Sequence, residues 1–117
     1  MLVKATREGL VGQKTASGYV IDRVVPFVAL PSERALGRAV RVSNPLTGKS
    51  CVAIVLEVGP FNTTDDRYVF HGERPLAESG VSISGEGTNK AGIDLGEKVW
   101  ALLGMKDNTP VIWEFLG

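Results

Sequence analysis

Two carboxylates stand where the sequence predicts the ends of structural elements. Glu57 closes an apolar, strand-like run and is followed by Gly59-Pro60, a pair that ends strands. Asp94 lies in Gly-Ile-Asp-Leu-Gly, directly before a helical pattern. A carboxyl group whose surroundings shift its pKa toward the working pH can serve as a general acid or base. Glu57 and Asp94 are therefore the candidate catalytic residues.

Each of the two carboxylates also has a purely structural interpretation. Glu57 at a strand end can accept hydrogen bonds from neighbouring loop amides. Asp94 can cap the helix that follows, with Glu97 three residues later completing a capping-box pattern. A capping carboxylate is held anionic, which suits substrate positioning better than proton donation. For Asp94 the pattern favours capping over chemistry, and for Glu57 both interpretations stay open.

The elements that position these residues are mostly strands. Strand-type patterns cover residues 2–6, 39–43, 50–58 and 110–116, and a turn at residues 44–49 joins two of them as a hairpin. The expected inward residues are Val40, Val42, Val52, Ile54, Leu56, Val111 and Trp113, or the alternate register. Only residues 95–103 predict a helix, with apolar residues at helical spacing and Gly104 as its stop.

Residues 62–90 show no regular pattern and are rich in Gly, Asp and Glu. Connections longer than about 12–15 residues are usually functional or disordered. Tyr68 and Phe70 indicate an ordered loop that packs on the rest of the domain. We expect this loop to set ligand specificity and to be removable without unfolding the domain.

The order and spacing of several motifs resemble the RlpA-like double-psi β-barrel family, which is related to expansin and barwin domains. In that family a strand ends in Asp-x-Gly-Pro-Phe, and a later Ile-Asp-Leu leads into a helix that ends in Leu-Gly-Met. The matching segments here are residues 57–61, 93–95 and 103–105, with further similarity at residues 12–18 and 36–42. The resemblance implies one domain over residues 1–117, a mainly β, six-stranded double-psi barrel with one short helix and the long loop.

The resemblance also implies a chemistry and a partner. Lytic members of the family cleave peptidoglycan: a carboxylic acid protonates the glycosidic oxygen and then assists closure of a 1,6-anhydro ring. Glu57 occupies the position of that acid, one methylene longer than the family's Asp. Tyr19, Phe61 and Tyr68 are expected to stack on sugar rings, and His71 to contact the substrate. The expected partner is peptidoglycan or another polysaccharide.

Two departures from the family pattern leave enzyme activity undecided. The RlpA-type enzymes carry a Glu where this chain has Tyr19, and a His where it has Pro31. The alternative is a non-catalytic glycan-binding or structural module, such as a component of a phage particle or secretion apparatus. In that role it would have protein partners in a larger assembly.

The composition of the chain argues against nucleic acids, membranes, metals and cofactors as partners. Lys plus Arg equal Asp plus Glu at 13 each, so no net charge attracts nucleic acid or an anionic membrane. One His and one Cys give no metal-ligand spacing, Cys51 fits a buried strand, and no cofactor motif is present. No apolar run of membrane-spanning length and no signal-peptide pattern occurs. The resemblance favours a periplasmic, extracellular or phage-associated location.

Overall fold

The computed structural model describes all residues from Met1 to Gly117. Its strands are β1 (Leu2–Arg7), β2 (Phe27–Leu30), β3 (Ala39–Asn44), β4 (Lys49–Val58), β5 (Ile93–Leu95) and β6 (Pro110–Phe115). Its α-helices are α1 (Asp66–His71) and α2 (Glu97–Leu102), and two 3₁₀ helices span Glu33–Ala35 and Leu76–Ser79. None of these helices is long and apolar enough to span a bilayer.

The strands close into a barrel in the order β1-β5-β2-β4-β3-β6. The β1–β5 and β2–β4 pairs are parallel, and the other four pairs are antiparallel. Closure gives every strand two neighbours, so no edge is left unpaired. The predicted mainly β, six-stranded barrel is confirmed, and so is the β3–β4 hairpin.

The barrel interior is filled by alternate residues of each strand. Val40, Val42, Val111 and Trp113 point inward as predicted. On β4 the alternate register holds, because Ala53 and Val55 belong to the core and Val52 is 48% exposed. A continuously apolar run does not reveal which alternate set faces inward, since a shift of one residue exchanges the two faces.

The 62–90 segment is part of the folded core and not one long loop. Tyr68, on α1, is 1% exposed. Its hydroxyl donates to the Gly92 carbonyl (2.8 Å) and accepts from Trp113 Nε1 (2.7 Å). The prediction of a single helix missed α1, because its 6 residues are too short for a helical period to be visible.

The second helix begins later than the sequence pattern indicated. Asp94 lies in β5, and the residue that precedes α2 is Gly96, which makes no side-chain capping bond. Glu97 forms an ion pair with Arg7 instead (Nη2 to Oε2, 2.6 Å). The predicted helix-capping role of Asp94 is therefore wrong, because the strand holds this residue two positions before the cap.

Candidate functional site

Four residues lie in register across four adjacent strands of the barrel wall. Thr6 on β1 pairs with Asp94 on β5, and Asp94 pairs with Ala29 on β2. Ala29 in turn pairs with Glu57 on β4. Because neighbouring strands are about 4.8 Å apart, the backbones of Asp94 and Glu57 are roughly 10 Å apart. The two predicted catalytic carboxylates therefore belong to one patch of the wall.

Glu57 shares a face with Asp94 because of an irregularity between β2 and β4. Val28 pairs with Val55, but the next residue, Ala29, pairs with Glu57, so Leu56 is an extra residue on β4. Val28 and Val55 both belong to the core. Strict alternation would turn Glu57 toward that core as well. The bulge turns it outward, as bulges near functional sites often do.

The carboxylate of Glu57 is held by backbone amides. Its Oε1 accepts hydrogen bonds from the N–H groups of Val58 (2.9 Å) and Ala16 (2.9 Å). Ala16 belongs to residues 8–26, which connect β1 to β2. Glu57 thus makes the loop-amide bonds expected of its structural interpretation, and these bonds fasten the connection to the barrel wall.

Glu8 is a third carboxyl group at this site, and the sequence analysis missed it. It follows β1 directly, and its backbone N–H donates to the Leu95 carbonyl (2.8 Å). Burial raises the pKa of Glu8 to about 8, with further contributions from the charge of Asp94, a side-chain hydrogen bond with Asp94 and the charge of Glu57. The available signal was its position as a carboxylate just past a strand end, the same signal that Glu57 gave.

Asp94 is the centre of the cluster. Burial raises its pKa, and the charge of Glu57 acts in the same direction. Hydrogen bonds with Thr6 and Glu8 oppose this increase, and Thr6 Oγ1 donates to Asp94 Oδ1. Neighbouring carboxyl groups do not both ionise readily, and the raised pKa of Glu8 keeps a proton on the Glu8–Asp94 pair near neutral pH. This arrangement places a proton donor beside an anion, as general acid–base catalysis requires.

The backbone next to Glu57 leaves room beside Asp94. Gly59 has a φ of +141°, and a Cβ at this position would lie 3.9 Å from Asp94 Oδ2. Phe61 follows two residues later and is 44% exposed. Together with Asn62 and Ile83 it lines a cavity of about 200 Å³. An exposed aromatic ring therefore lies just beyond the strand that carries Glu57.

The predicted substrate-binding residues are not all brought together. Tyr19 lies half-buried on the same connection as Ala16, with its ring edge-on to Phe27 at 5.4 Å. The prediction that Tyr68 stacks on sugar rings is wrong, because its ring lies inside the core. His71 is exposed at the end of α1 and lines a different cavity, together with Arg34, Arg38 and Phe70. No group of three or more His, Cys, Asp or Glu side chains is placed to hold a metal ion.

Comparisons with known proteins place the chain in a family and identify a fold relative. The chain belongs to the family described as "Domain of unknown function (DUF8814)", whose model matches residues 1–82. This match includes Glu8 and Glu57 and ends before Asp94. No curated protein matches the chain.

Among solved structures, the chain is similar to the Streptomyces papain inhibitor (SPI), with a TM-score of 0.57 and 19% identity. The match covers 100% of this chain and 94% of that one. At this identity the likeness concerns the fold, which is double-psi β-barrel-like. The matching family model is not one of RlpA-like or expansin domains, and the part of the resemblance that the comparisons support is the barrel fold.

Proposed function

We propose that the outer wall of the barrel binds a polysaccharide strand, with peptidoglycan as the leading candidate, and cleaves it by acid–base chemistry. The observation that carries this proposal is the cluster of Glu8, Asp94 and Glu57, in which burial and the neighbouring carboxylates raise the pKa of Glu8 to about 8. Carboxyl groups with strongly raised pKa values concentrate at functional sites. A polysaccharide offers the glycosidic oxygen that such a proton donor can protonate.

The proposed reaction is a lytic transglycosylation. The Glu8–Asp94 pair gives its proton to the glycosidic oxygen as the bond from that oxygen to C1 breaks. The deprotonated pair then accepts the proton of the C6 hydroxyl while the C6 oxygen bonds to C1. The products are a shortened strand and a 1,6-anhydro sugar, and no water is consumed. The negative charge of Glu57 stabilises the positive charge that develops on the sugar ring.

This assignment moves the proton donor from Glu57, where the sequence had indicated it, to the Glu8–Asp94 pair. Glu57 uses Oε1 to accept two backbone hydrogen bonds, so this oxygen is already engaged by the protein. Glu8 has a different environment, because burial and the neighbouring carboxylates favour its neutral form. The two kinds of carboxyl group thus have environments suited to different tasks.

Two aromatic side chains near the cluster are suited to contact sugar rings. Phe61 exposes its ring beyond the end of β4, and Tyr19 lies on the connection that Glu57 fastens to the wall. Aromatic faces bind the apolar faces of sugars, while polar groups fix their orientation. Tyr68 and His71 have no part in this proposal.

Retention on insoluble glycans tests the proposal. We expect the protein to sediment with murein sacculi, and Phe61→Ala to reduce the sedimented fraction. Val52→Ala is a matched control. Val52 is exposed to a similar degree as Phe61, and it lies on β4 five residues before Glu57. Absence of binding to murein, chitin and cellulose alike would exclude a glycan function.

A second candidate function is a non-catalytic, protein-binding module, including a component of a larger assembly. The observation in its favour is a set of exposed apolar residues on the β1–β2 connection: Leu10 (54%), Val11 (43%), Val20 (53%) and Val24 (72%). Clusters of exposed apolar residues often mark protein contacts. The name of the papain inhibitor gives a protease as one class of partner to test. Inhibition of papain that is lost in Val24→Asp would favour this candidate over the glycan function.

A further inference from the structure

Arg38 is a half-buried cation whose side chain has no hydrogen-bond acceptor and no carboxylate partner in the structure. Its guanidinium carbon lies 4.2 Å from the ring centroid of Phe115 and 5.7 Å from that of Phe70. The cation–π attraction holds the flat face of the group. No protein group accepts a hydrogen bond from the N–H donors along its edge, which can therefore serve a ligand.

The aromatic rings beneath Arg38 form a rigid support. Phe70 and Phe115 are stacked, with centroids 5.3 Å apart and planes inclined by 10°. Trp113 packs edge-on against Phe115 at 5.1 Å and is itself only 4% exposed. Arg38 is thus oriented by contacts with the core. Less side-chain conformational entropy is therefore lost when a ligand binds to it.

Further cationic groups surround the same space. Arg34, Arg38, Phe70 and His71 line a cavity of about 340 Å³. Asp66 is the carboxylate that faces this group: its Oδ2 is 3.2 Å from Arg34 Nη1. Its pKa is lowered by the hydrogen bond from Ser32, then by Arg34 and His71. Two arginines against one carboxylate leave the cavity with an excess of positive charge.

We propose that this cavity binds a phosphate group, either free phosphate or that of a phosphomonoester. Arg38 presents a planar fork that matches two phosphate oxygens, and Arg34 and His71 supply further donors. A phosphate dianion gains from all three groups, which favours it over a carboxylate. The cavity lies beside β3 and β6, and none of the four residues that line it belongs to the carboxyl cluster.

Titration of the whole protein with inorganic phosphate at low ionic strength tests this proposal, followed by isothermal calorimetry and by NMR of the Arg38 and His71 side chains. We expect saturable binding with shifts at both residues. Arg38→Gln should weaken binding by at least about tenfold, because it removes a charge-assisted, bidentate contact. Arg41→Gln removes the same charge from an exposed position on β3 and should change the affinity by less than about twofold.

Asp66→Asn provides the opposite test. It frees Arg34 and removes the opposing charge, while the amide oxygen can still accept from Ser32, so phosphate should bind more tightly. A parallel titration with glycerol 3-phosphate separates the two sources: tighter binding than phosphate indicates a phosphomonoester, and weaker binding indicates the free ion. The proposal is overturned if neither ligand saturates, if Arg38→Gln and Arg41→Gln weaken binding equally, or if Asp66→Asn does not tighten it.

Discussion

Asp94 and Glu57 pair with the same residue, Ala29, from opposite sides of β2. This relationship places two carboxylates on one face of the wall, separated by a single strand with a small side chain. It depends on the bulge at Leu56, since regular pairing would turn Glu57 toward the core. The site is thus produced by a local irregularity in the β4 strand, together with the register of β5.

The raised pKa of Glu8 predicts an unusual dependence of stability on pH. Between about pH 4.5 and 8 the folded protein keeps a proton on Glu8 that the unfolded chain has lost. The contribution of Glu8 to the free energy of unfolding is therefore complete below the pKa that Glu8 has in the unfolded chain. It is lost as the pH rises through the pKa of Glu8 in the folded protein. Glu8→Gln removes it. By calorimetry the melting temperature of Glu8→Gln should fall less than that of the wild type between about pH 5 and about pH 8, and parallel profiles would contradict the assignment.

Thr6 is expected to tune the carboxyl cluster through one hydrogen bond. Thr6→Val removes the donor to Asp94 Oδ1, so the pKa of Asp94 should rise, because this bond lowers it. The free energy of unfolding should decrease by about 1 kcal/mol. Carboxyl-detected NMR titration measures the first effect and urea unfolding the second. Thr6→Ser keeps the hydroxyl and serves as the control; an unchanged Asp94 titration in Thr6→Val would show that the bond has no such role.

Tyr68 is expected to act in folding and not in ligand binding. Tyr68→Phe leaves the Gly92 carbonyl and Trp113 Nε1 without their partner in the core, which should cost about 1–3 kcal/mol of unfolding free energy. Tyr19→Phe, which removes a hydroxyl bonded to the half-buried Asp22, is the matched control and should cost less. Glycan retention should be unaffected by Tyr68→Phe. Equal stability of the two variants would contradict the buried role of Tyr68.

Replacement of residues 63–84 by a short Gly-Ser linker should unfold the domain. The segment contributes Tyr68, Val69 and Ala77 to the buried interior, so its removal exposes apolar surface that the barrel cannot cover otherwise. This expectation reverses the one drawn from the sequence, where the segment had the composition of a loop. Far-ultraviolet circular dichroism and a melting curve decide between them; a cooperative transition in the deletion variant would restore the loop interpretation.

The close packing of α2 against β2 depends on one glycine. A Cβ at Gly96 would lie 2.6 Å from Phe27 Cδ1, and Phe27 is fully buried and supports the ring of Tyr19. Gly96→Ala should therefore destabilise the protein by about 1–3 kcal/mol through overpacking. Gly87→Ala is the control, because nothing lies within 4 Å of a Cβ there. Urea unfolding should separate the two variants clearly, and equal midpoints would show that Phe27 can move aside.

The sequence predicted the features that depend on patterns along the chain. It did not predict those that depend on how strands distant in the chain pair with one another. Strand patterns and the turn at residues 44–49 predicted the hairpin, and the resemblance to the double-psi β-barrel family implied the six-stranded barrel. The bulge beside Leu56 was not visible, because an apolar run carries no sign of which residue is left unpaired. Glu8 and Asp94 meet only through the parallel pairing of β1 and β5, which joins residues more than 80 positions apart. The capping-box pattern after Asp94 matched a helix start that lies two residues further on.

The central claim is that the Glu8–Asp94 pair donates the proton that cleaves a glycan strand. Digestion of purified murein sacculi, followed by mass spectrometry of the released muropeptides, tests it most directly. We predict 1,6-anhydro ends with the wild type and with the Arg41→Gln control, and a loss of at least about a hundredfold in Glu8→Gln and Asp94→Asn, as general acid catalysis contributes about that much or more. Wild-type protein that binds sacculi without releasing anhydro ends, or folded Glu8→Gln and Asp94→Asn variants that release them at the wild-type rate, would contradict the claim.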